Sequence, residues 1–244
     1  MDVNNLIKNI LLSIIFVFSI SCCGAAKNRS NMNPGATFTN IKDSVFFIFR
    51  SDFISMEEGS DLLSQSSGTG TTIRSGENFS DILTAGHVCI DYFLSFSDIG
   101  YSYEILDFYG NERPGELIAL DEESDLCLIR IYSESPAIPI TNAEIISGAS
   151  VRYSGYPMGL YMPGNLHHFS GYYSGSDLVG FSMFSLAVTG GSSGSAILND
   201  DGEIVGVISS VTESFAHLVI GPGIERIKTF IFLSSSCQKY CVDK

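Results

Sequence analysis

Three short stretches carry residue types that can do acyl-transfer chemistry together. The first, Ile82-Leu83-Thr84-Ala85-Gly86-His87-Val88, closes a hydrophobic run in small residues and then presents a histidine. The second, Asp121-Glu122-Glu123-Ser124-Asp125-Leu126-Cys127-Leu128-Ile129, sets an acidic residue at the mouth of a strongly apolar strand. In the third, Thr189-Gly190-Gly191-Ser192-Ser193-Gly194-Ser195-Ala196-Ile197, the glycines permit the backbone angles needed to expose a hydroxyl and aim amides at one spot. Each stretch alone is ordinary: a packed histidine, a cap before a strand, a Gly-Ser loop. In the order His, Asp, Ser, 38 and 68 residues apart, they suit nucleophilic catalysis. A serine hydroxyl is a poor nucleophile until a base takes its proton, and that base needs a carboxylate to fix its tautomer and stabilise its charged form.

The elements that must position these residues are short strands. From Ser44 onward, β-rich segments alternate with Gly, Asn, Asp and Ser punctuation. The pattern predicts strands at Val45–Phe49, Gly70–Arg74, Ile82–Thr84, Tyr101–Tyr109, Glu116–Leu120 and Leu126–Tyr132. After a Pro-containing connector, a second set follows at Ser150–Tyr156, Leu166–Ser174, Leu178–Leu186, Ser195–Leu198, Ile204–Ser209 and His217–Ile220. No amphipathic helices intervene, which argues for antiparallel barrels or a sandwich over βαβ units. Pro222 and Gly223 set the start of a C-terminal helix over about residues 224–236. The expected architecture is all-β: two six-stranded antiparallel β-barrels, at about 44–132 and 150–220, with this short helix.

The motifs Ser67-Gly68-Thr69-Gly70-Thr71, Thr84-Ala85-Gly86-His87, Ser124-Asp125-Leu126, Gly155-Tyr156-Pro157 and Gly191-Ser192-Ser193-Gly194-Ser195 run in one order across nearly everything after residue 44. In this the chain resembles the trypsin-like serine peptidases of the chymotrypsin fold, and within them the bacterial glutamyl endopeptidases and heat-shock proteases. The resemblance implies His87 as general base, Asp125 as its orienting carboxylate and Ser193 as nucleophile, with an oxyanion hole from the amides of Gly191 and Ser193. It also implies polypeptide substrates, no cofactor and no metal. Ser192 stands where animal digestive relatives carry an Asp that pairs with a freed N-terminal amine, so no zymogen switch of that kind is expected. At the positions that set primary specificity in relatives, the chain has Ala187, Val188 and Ile208. There is no Asp for a basic side chain and no His for a Glu, so an uncharged, apolar P1 residue is expected.

Two other readings compete. Gly190-Gly191-Ser192-Ser193-Gly194 also fits the G-x-S-x-G elbow of α/β-hydrolases with Ser192 attacking, but that fold needs a parallel sheet and a His after the acid. A catalytically inactive two-barrel binding protein is the alternative from another class. Adjacent His167 and His168 would point to opposite faces of a strand and so share no metal ion.

Residues 10–20 form an apolar run with Lys8 before it and Ser21-Cys22-Cys23-Gly24-Ala25-Ala26 after it. This reads as a signal peptide over residues 1–26, and therefore as an exported protein (periplasm, cell surface or secreted). Cys22 and Cys23 are lipidation candidates through which the chain would be tethered to a membrane, with residues 27–43 as a polar tether and residues 44–244 as the peptidase domain. Among the remaining cysteines, Cys89 and Cys127 each lie two residues beyond a proposed triad member, as a disulfide or as two buried thiols; Cys237 and Cys241 have no metal-site spacing around them. A net charge of −14 excludes binding to nucleic acid through a basic surface. No peptide-docking domain is expected after the final helix, and with it a monomer rather than a cage is expected.

Overall fold

The computed structural model describes residues 41–56, 59–92, 99–212 and 215–236. The leader, Cys22, Cys23, most of the tether, Cys237 and Cys241 lie outside these residues. Among the described residues no helix is long and apolar enough to cross a membrane.

Six strands close the first barrel: β1 (Val45–Met56), β2 (Gly59–Gly76), β3 (Phe79–Ala85), β4 (Ile99–Leu106), β5 (Glu112–Asp121) and β6 (Leu126–Ile131), in the spatial order β1-β2-β3-β6-β5-β4. Closure comes from the antiparallel pairing of β1 with β4, Phe47 opposite Leu106 through Ile54 opposite Ile99, and leaves no free edge. Between β3 and β4 lies a single helical turn, α1 (Gly86–Cys89). Strand side chains alternate between two faces, and here both faces are buried. Phe46 and Ile48 of β1, Ile82 of β3 and Cys127, Ile129 and Ile131 of β6 belong to one apolar cluster. Their neighbours Val45, Phe47, Leu83, Leu126 and Leu128 belong to another, shared with Tyr156, Leu198 and Val207 of the second half of the chain and with Ile227 and Phe230. This double burial is why the segment after Asp125 reads as an unbroken apolar run instead of an alternating one.

The second set comprises β7 (Ser150–Gly155), β8 (His167–Ser176), β9 (Phe181–Ser185), β10 (Ala196–Leu198), β11 (Ile204–Val207), β12 (Ser210–Thr212) and β13 (Phe215–Pro222). It departs from the six expected strands: the seven form a sheet in the order β11-β10-β7-β8-β9-β13-β12, with β12 paired to β13. Only an isolated bridge, Gly206 to Gly223, links β11 with the chain just past β13. Pro222 stands at that point without an N–H to donate, so a longer ladder cannot form there. Strand β9 is also shorter than expected. Asp177 accepts the N–H groups of Val179 (3.0 Å) and Phe181 (2.8 Å), turning the residues that had read as its beginning into a tight loop. The C-terminal helix α2 (Ile224–Ser236) begins directly after Pro222 and Gly223, as expected.

Cys89 and Cys127 form a disulfide, with Cα atoms 6.5 Å apart, between α1 and β6. Both residues are fully buried. In the chain-entropy picture a loop of this length, 38 residues, is worth about 4 kcal/mol. The double variant Cys89→Ala/Cys127→Ala is expected to lose about 2–4 kcal/mol in urea unfolding; an unchanged midpoint and slope would contradict this.

Candidate active site

His87 sits on α1, immediately after β3 has delivered the chain to the rim of the first barrel. Its side chain is 38% exposed, that of Asp125 16%. Asp125 lies at the end of the turn before β6, in the left-handed region (φ 50°), a conformation that Asp tolerates better than most residues. Four donors converge on its carboxylate: His87 Nδ1 (2.9 Å to Oδ2, 3.2 Å to Oδ1), the His87 backbone N–H (2.8 Å to Oδ1), the Tyr92 hydroxyl (3.2 Å to Oδ1) and the Ser209 hydroxyl on Oδ2. An ionised carboxylate only accepts, so Nδ1 carries the hydrogen and Nε2 is the basic nitrogen. Gly86 makes room for this arrangement: a methyl there would meet the Tyr92 hydroxyl at 2.2 Å.

Burial pushes the Asp125 carboxyl up, but the hydrogen bond and charge of His87 and the hydrogen bond from Ser209 outweigh it, and the net value lies below the usual carboxylate range. Burial, and then the charge of Asp125, push the Tyr92 phenol upward, so it stays a donor. On an outer loop Asp107 follows the same pattern. Burial raises its carboxyl, yet hydrogen bonds from the Asn111 side chain and backbone, from Arg113 and from the Tyr109 N–H bring it below the usual range. A carboxyl lowered on folding contributes stability that is complete above the unfolded value and vanishes as pH falls through the folded one. The thermal midpoint is therefore expected to hold down to about pH 5 and to fall steadily from there to about pH 2, with a shallower fall in Asp107→Asn. A midpoint flat to pH 2 would contradict this.

The Ser193 loop joins β9 to β10 and is built around two glycines at φ 83°, Gly191 and Gly194. A side chain at Gly194 would lie 2.2 Å from the Thr69 carbonyl and 2.9 Å from the Ala85 N, so this glycine presses the loop against the end of β3, two residues short of His87. Thr69 is the hub of the junction. Its N–H donates to the Ser193 carbonyl (2.9 Å) and its hydroxyl to the Gly191 carbonyl (3.0 Å). The same hydroxyl accepts the Tyr156 N–H (3.0 Å), and the Thr69 carbonyl accepts the Thr84 hydroxyl (2.8 Å). Behind the loop, Ile208 brackets it through Gly194 N–H to Ile208 O (2.7 Å) and Ile208 N–H to Ser195 O (3.0 Å).

Within the loop, the N–H groups of Ser192, Gly194 and Ser195 are all committed to carbonyls, whereas those of Gly191 and Ser193 donate to no acceptor among the described residues. Ser193 is half-buried, and its hydroxyl makes no hydrogen bond to His87. The structure thus brings His87 and Asp125 into direct contact and docks the Ser193 backbone beside them. Ser192 is fully buried, with its hydroxyl 3.3 Å from that of Tyr153, and both halves of the chain are antiparallel. The α/β-hydrolase parse therefore finds neither its exposed serine nor its parallel sheet.

Of the three expected pocket residues, Ala187 is exposed and Val188 half-buried, whereas Ile208 is 2% exposed inside the apolar cluster of the second sheet. Ile208 is a core residue that holds the serine loop by its backbone, which a reading from sequence offsets had no means to see. Sequence reasoning also missed Ser209, Tyr92 and the role of Thr69. Only Thr69 left a trace, as part of the Ser67–Thr71 motif. Among the described residues no cluster of His, Cys, Asp or Glu has the makings of a metal site.

The model of the trypsin-like peptidase domain family matches residues 68–207. The chain is similar to the uncharacterized protein y4bJ of Sinorhizobium fredii, 28% identical over 134 residues, which is 52% of this chain and 21% of that protein; the chain thus spans about a fifth of its curated relative. Among solved structures, the serine endoprotease from Yersinia pestis superposes with a TM-score of 0.64 at 18% identity, over 82% of this chain and 66% of that one. That likeness is one of fold.

Proposed function

This chain belongs to the trypsin-like peptidase family, and from that premise we propose that it is an exported serine endopeptidase in which His87, Asp125 and Ser193 form the catalytic triad. The observation that carries the reading is the set of hydrogen bonds between Asp125 and the ring and backbone of His87, beside a loop whose Gly191 and Ser193 amides are uncommitted. His87 Nε2 takes the Ser193 proton as Oγ attacks the peptide carbonyl, and the amides of Gly191 and Ser193 receive the oxyanion. Collapse of the tetrahedral intermediate passes that proton to the leaving amine and leaves an acyl-enzyme. Water, deprotonated by the same nitrogen, then releases the acid and restores Ser193. Losing one oxyanion donor costs well-studied enzymes about 3 kcal/mol of transition-state stabilisation.

Ala187 and Val188 support an uncharged, apolar P1 residue, since neither offers a charge or hydrogen bond to a side chain. Export rests on the apolar leader, and tethering to a membrane would act through a lipid on Cys22 or Cys23. A monomer acting on polypeptides of neutral or basic character fits the −14 charge.

Peptides that differ only at P1 test the specificity. An apolar P1 is expected to give a kcat/KM at least about tenfold above Glu or Arg. A preference for either charged residue would overturn this pocket assignment, and no cleavage of any peptide or denatured protein would overturn the peptidase reading itself.

A further inference from the structure

The turn that carries His87 is held from below by a buried ion pair. Arg50 on β1 is 2% exposed and Asp52 is fully buried. The guanidinium meets the Asp52 carboxylate with two bonds, Nε to Oδ1 (2.6 Å) and Nη2 to Oδ2 (3.0 Å), and its third nitrogen donates to the carbonyls of His87 (2.8 Å) and Val88 (3.3 Å). Ser64 from β2 donates a further hydrogen bond to Asp52. With Tyr103 OH on the Cys89 carbonyl (2.8 Å) and Ile90 N–H on that of Gly86 (3.1 Å), every carbonyl of α1 is taken.

A helix of four residues cannot hold itself together: nucleation is unfavourable and the terminal carbonyls have no partners of their own. Val88 and Cys89 are buried, so those carbonyls would otherwise be orphaned away from water. The ion pair by itself adds little to stability, because a buried ion pair returns little net energy over hydrophobic residues of similar volume. What apolar packing cannot do is grip two successive carbonyls from a fixed direction. The planar guanidinium can, and a lysine ammonium cannot do so while also keeping a two-pronged bond to Asp52.

We infer that Arg50, neutralised and oriented by Asp52, is a positioning residue for His87, fixing the imidazole through the backbone of the turn that bears it. The inference rests on His87 being the general base.

Two variants of the full chain test it: Arg50→Lys, and Arg50→Met/Asp52→Leu, which removes both buried charges together and so avoids leaving one unpaired. Both are read by peptide hydrolysis and by the rate of Ser193 labelling with a fluorophosphonate. Each is expected to lose about tenfold to a hundredfold in kcat and in labelling rate with KM within about twofold of wild type, since displacements of about an ångström carry costs of that size. The double variant leaves the His87 and Val88 carbonyls without their donor, so its thermal midpoint is expected to fall, and its kcat is read at a temperature where it is fully folded. Wild-type kcat in Arg50→Lys, or in a folded double variant, would overturn the inference, and so would a loss confined to KM. If the double variant does not fold, Arg50→Lys decides alone. Wild-type protein that takes no label at Ser193, or a His87→Ala variant labelled at the wild-type rate, would instead sink the reading on which the inference rests.

Discussion

Replacing Ser193 by alanine is expected to lower kcat by about a millionfold, leaving the roughly thousandfold to ten-thousandfold advantage over water that binding and the oxyanion amides provide. The size follows from what the residue does. Without Oγ no acyl-enzyme forms, and attack must come from a water that no group places against the carbonyl. The fold should not notice. Ser193 holds its neighbours through its carbonyl, accepted from Thr69 N–H, which alanine keeps. A Ser193→Ala protein with wild-type stability and KM but no measurable turnover is the expected result. Turnover within tenfold of wild type would mean that another group attacks. The corresponding change at Ser192, whose hydroxyl is buried against Tyr153, is expected to affect stability more than chemistry.

The second large effect is at Asp125. Asparagine there keeps the shape but turns one acceptor oxygen into a donor. Oδ1 and Oδ2 together receive the imidazole Nδ1–H, the His87 N–H and the hydroxyls of Ser209 and Tyr92. An amide nitrogen in either place would confront donors. If it faces Nδ1, the imidazole must move its proton to Nε2, and the nitrogen that should accept from Ser193 then carries a hydrogen. A loss of about ten-thousandfold in kcat at neutral pH is expected, with KM little changed. Part of the rate should return at high pH, where a small fraction of Ser193 ionises without help. A fall of less than a hundredfold would show that Asp125 does not set the tautomer. Ser209→Ala and Tyr92→Phe remove one donor each and leave Nδ1 in place, so their losses should be much smaller.

How far these residues could be read from the chain depends on how local their causes are. The His87, Asp125 and Ser193 stretches stand out because a nucleophile loop and a histidine turn need small residues beside strands, and such runs are visible in one dimension. The first barrel was legible for the same reason: its strands are long, and their apolar content shows even where both faces are buried. The second half was harder. Strand β12 has three residues and draws its pairing from β13, so no periodicity announces it. Pro222 stops the ladder that would have closed six strands into a barrel.

The supports of the site were the least legible. Ser209 reaches Asp125 across 84 residues of chain, and Arg50 reaches His87 across 37. Each is an unremarkable side chain in its own segment and becomes informative only when folding supplies the partner. Ile208 shows the converse. Counting from the nucleophile put it in the specificity pocket, whereas the segment just past β11 buries its side chain among the apolar residues of the second sheet.

The central claim, a serine peptidase working through His87, Asp125 and Ser193, is tested most directly by fluorophosphonate labelling of the intact protein followed by peptide mapping. The expected result is a single label on Ser193, formed at a rate that His87→Ala and Asp125→Asn abolish or cut by orders of magnitude. Label on Ser192, label on Ser193 that persists undiminished in His87→Ala, or no label at all in the folded wild-type protein would contradict it.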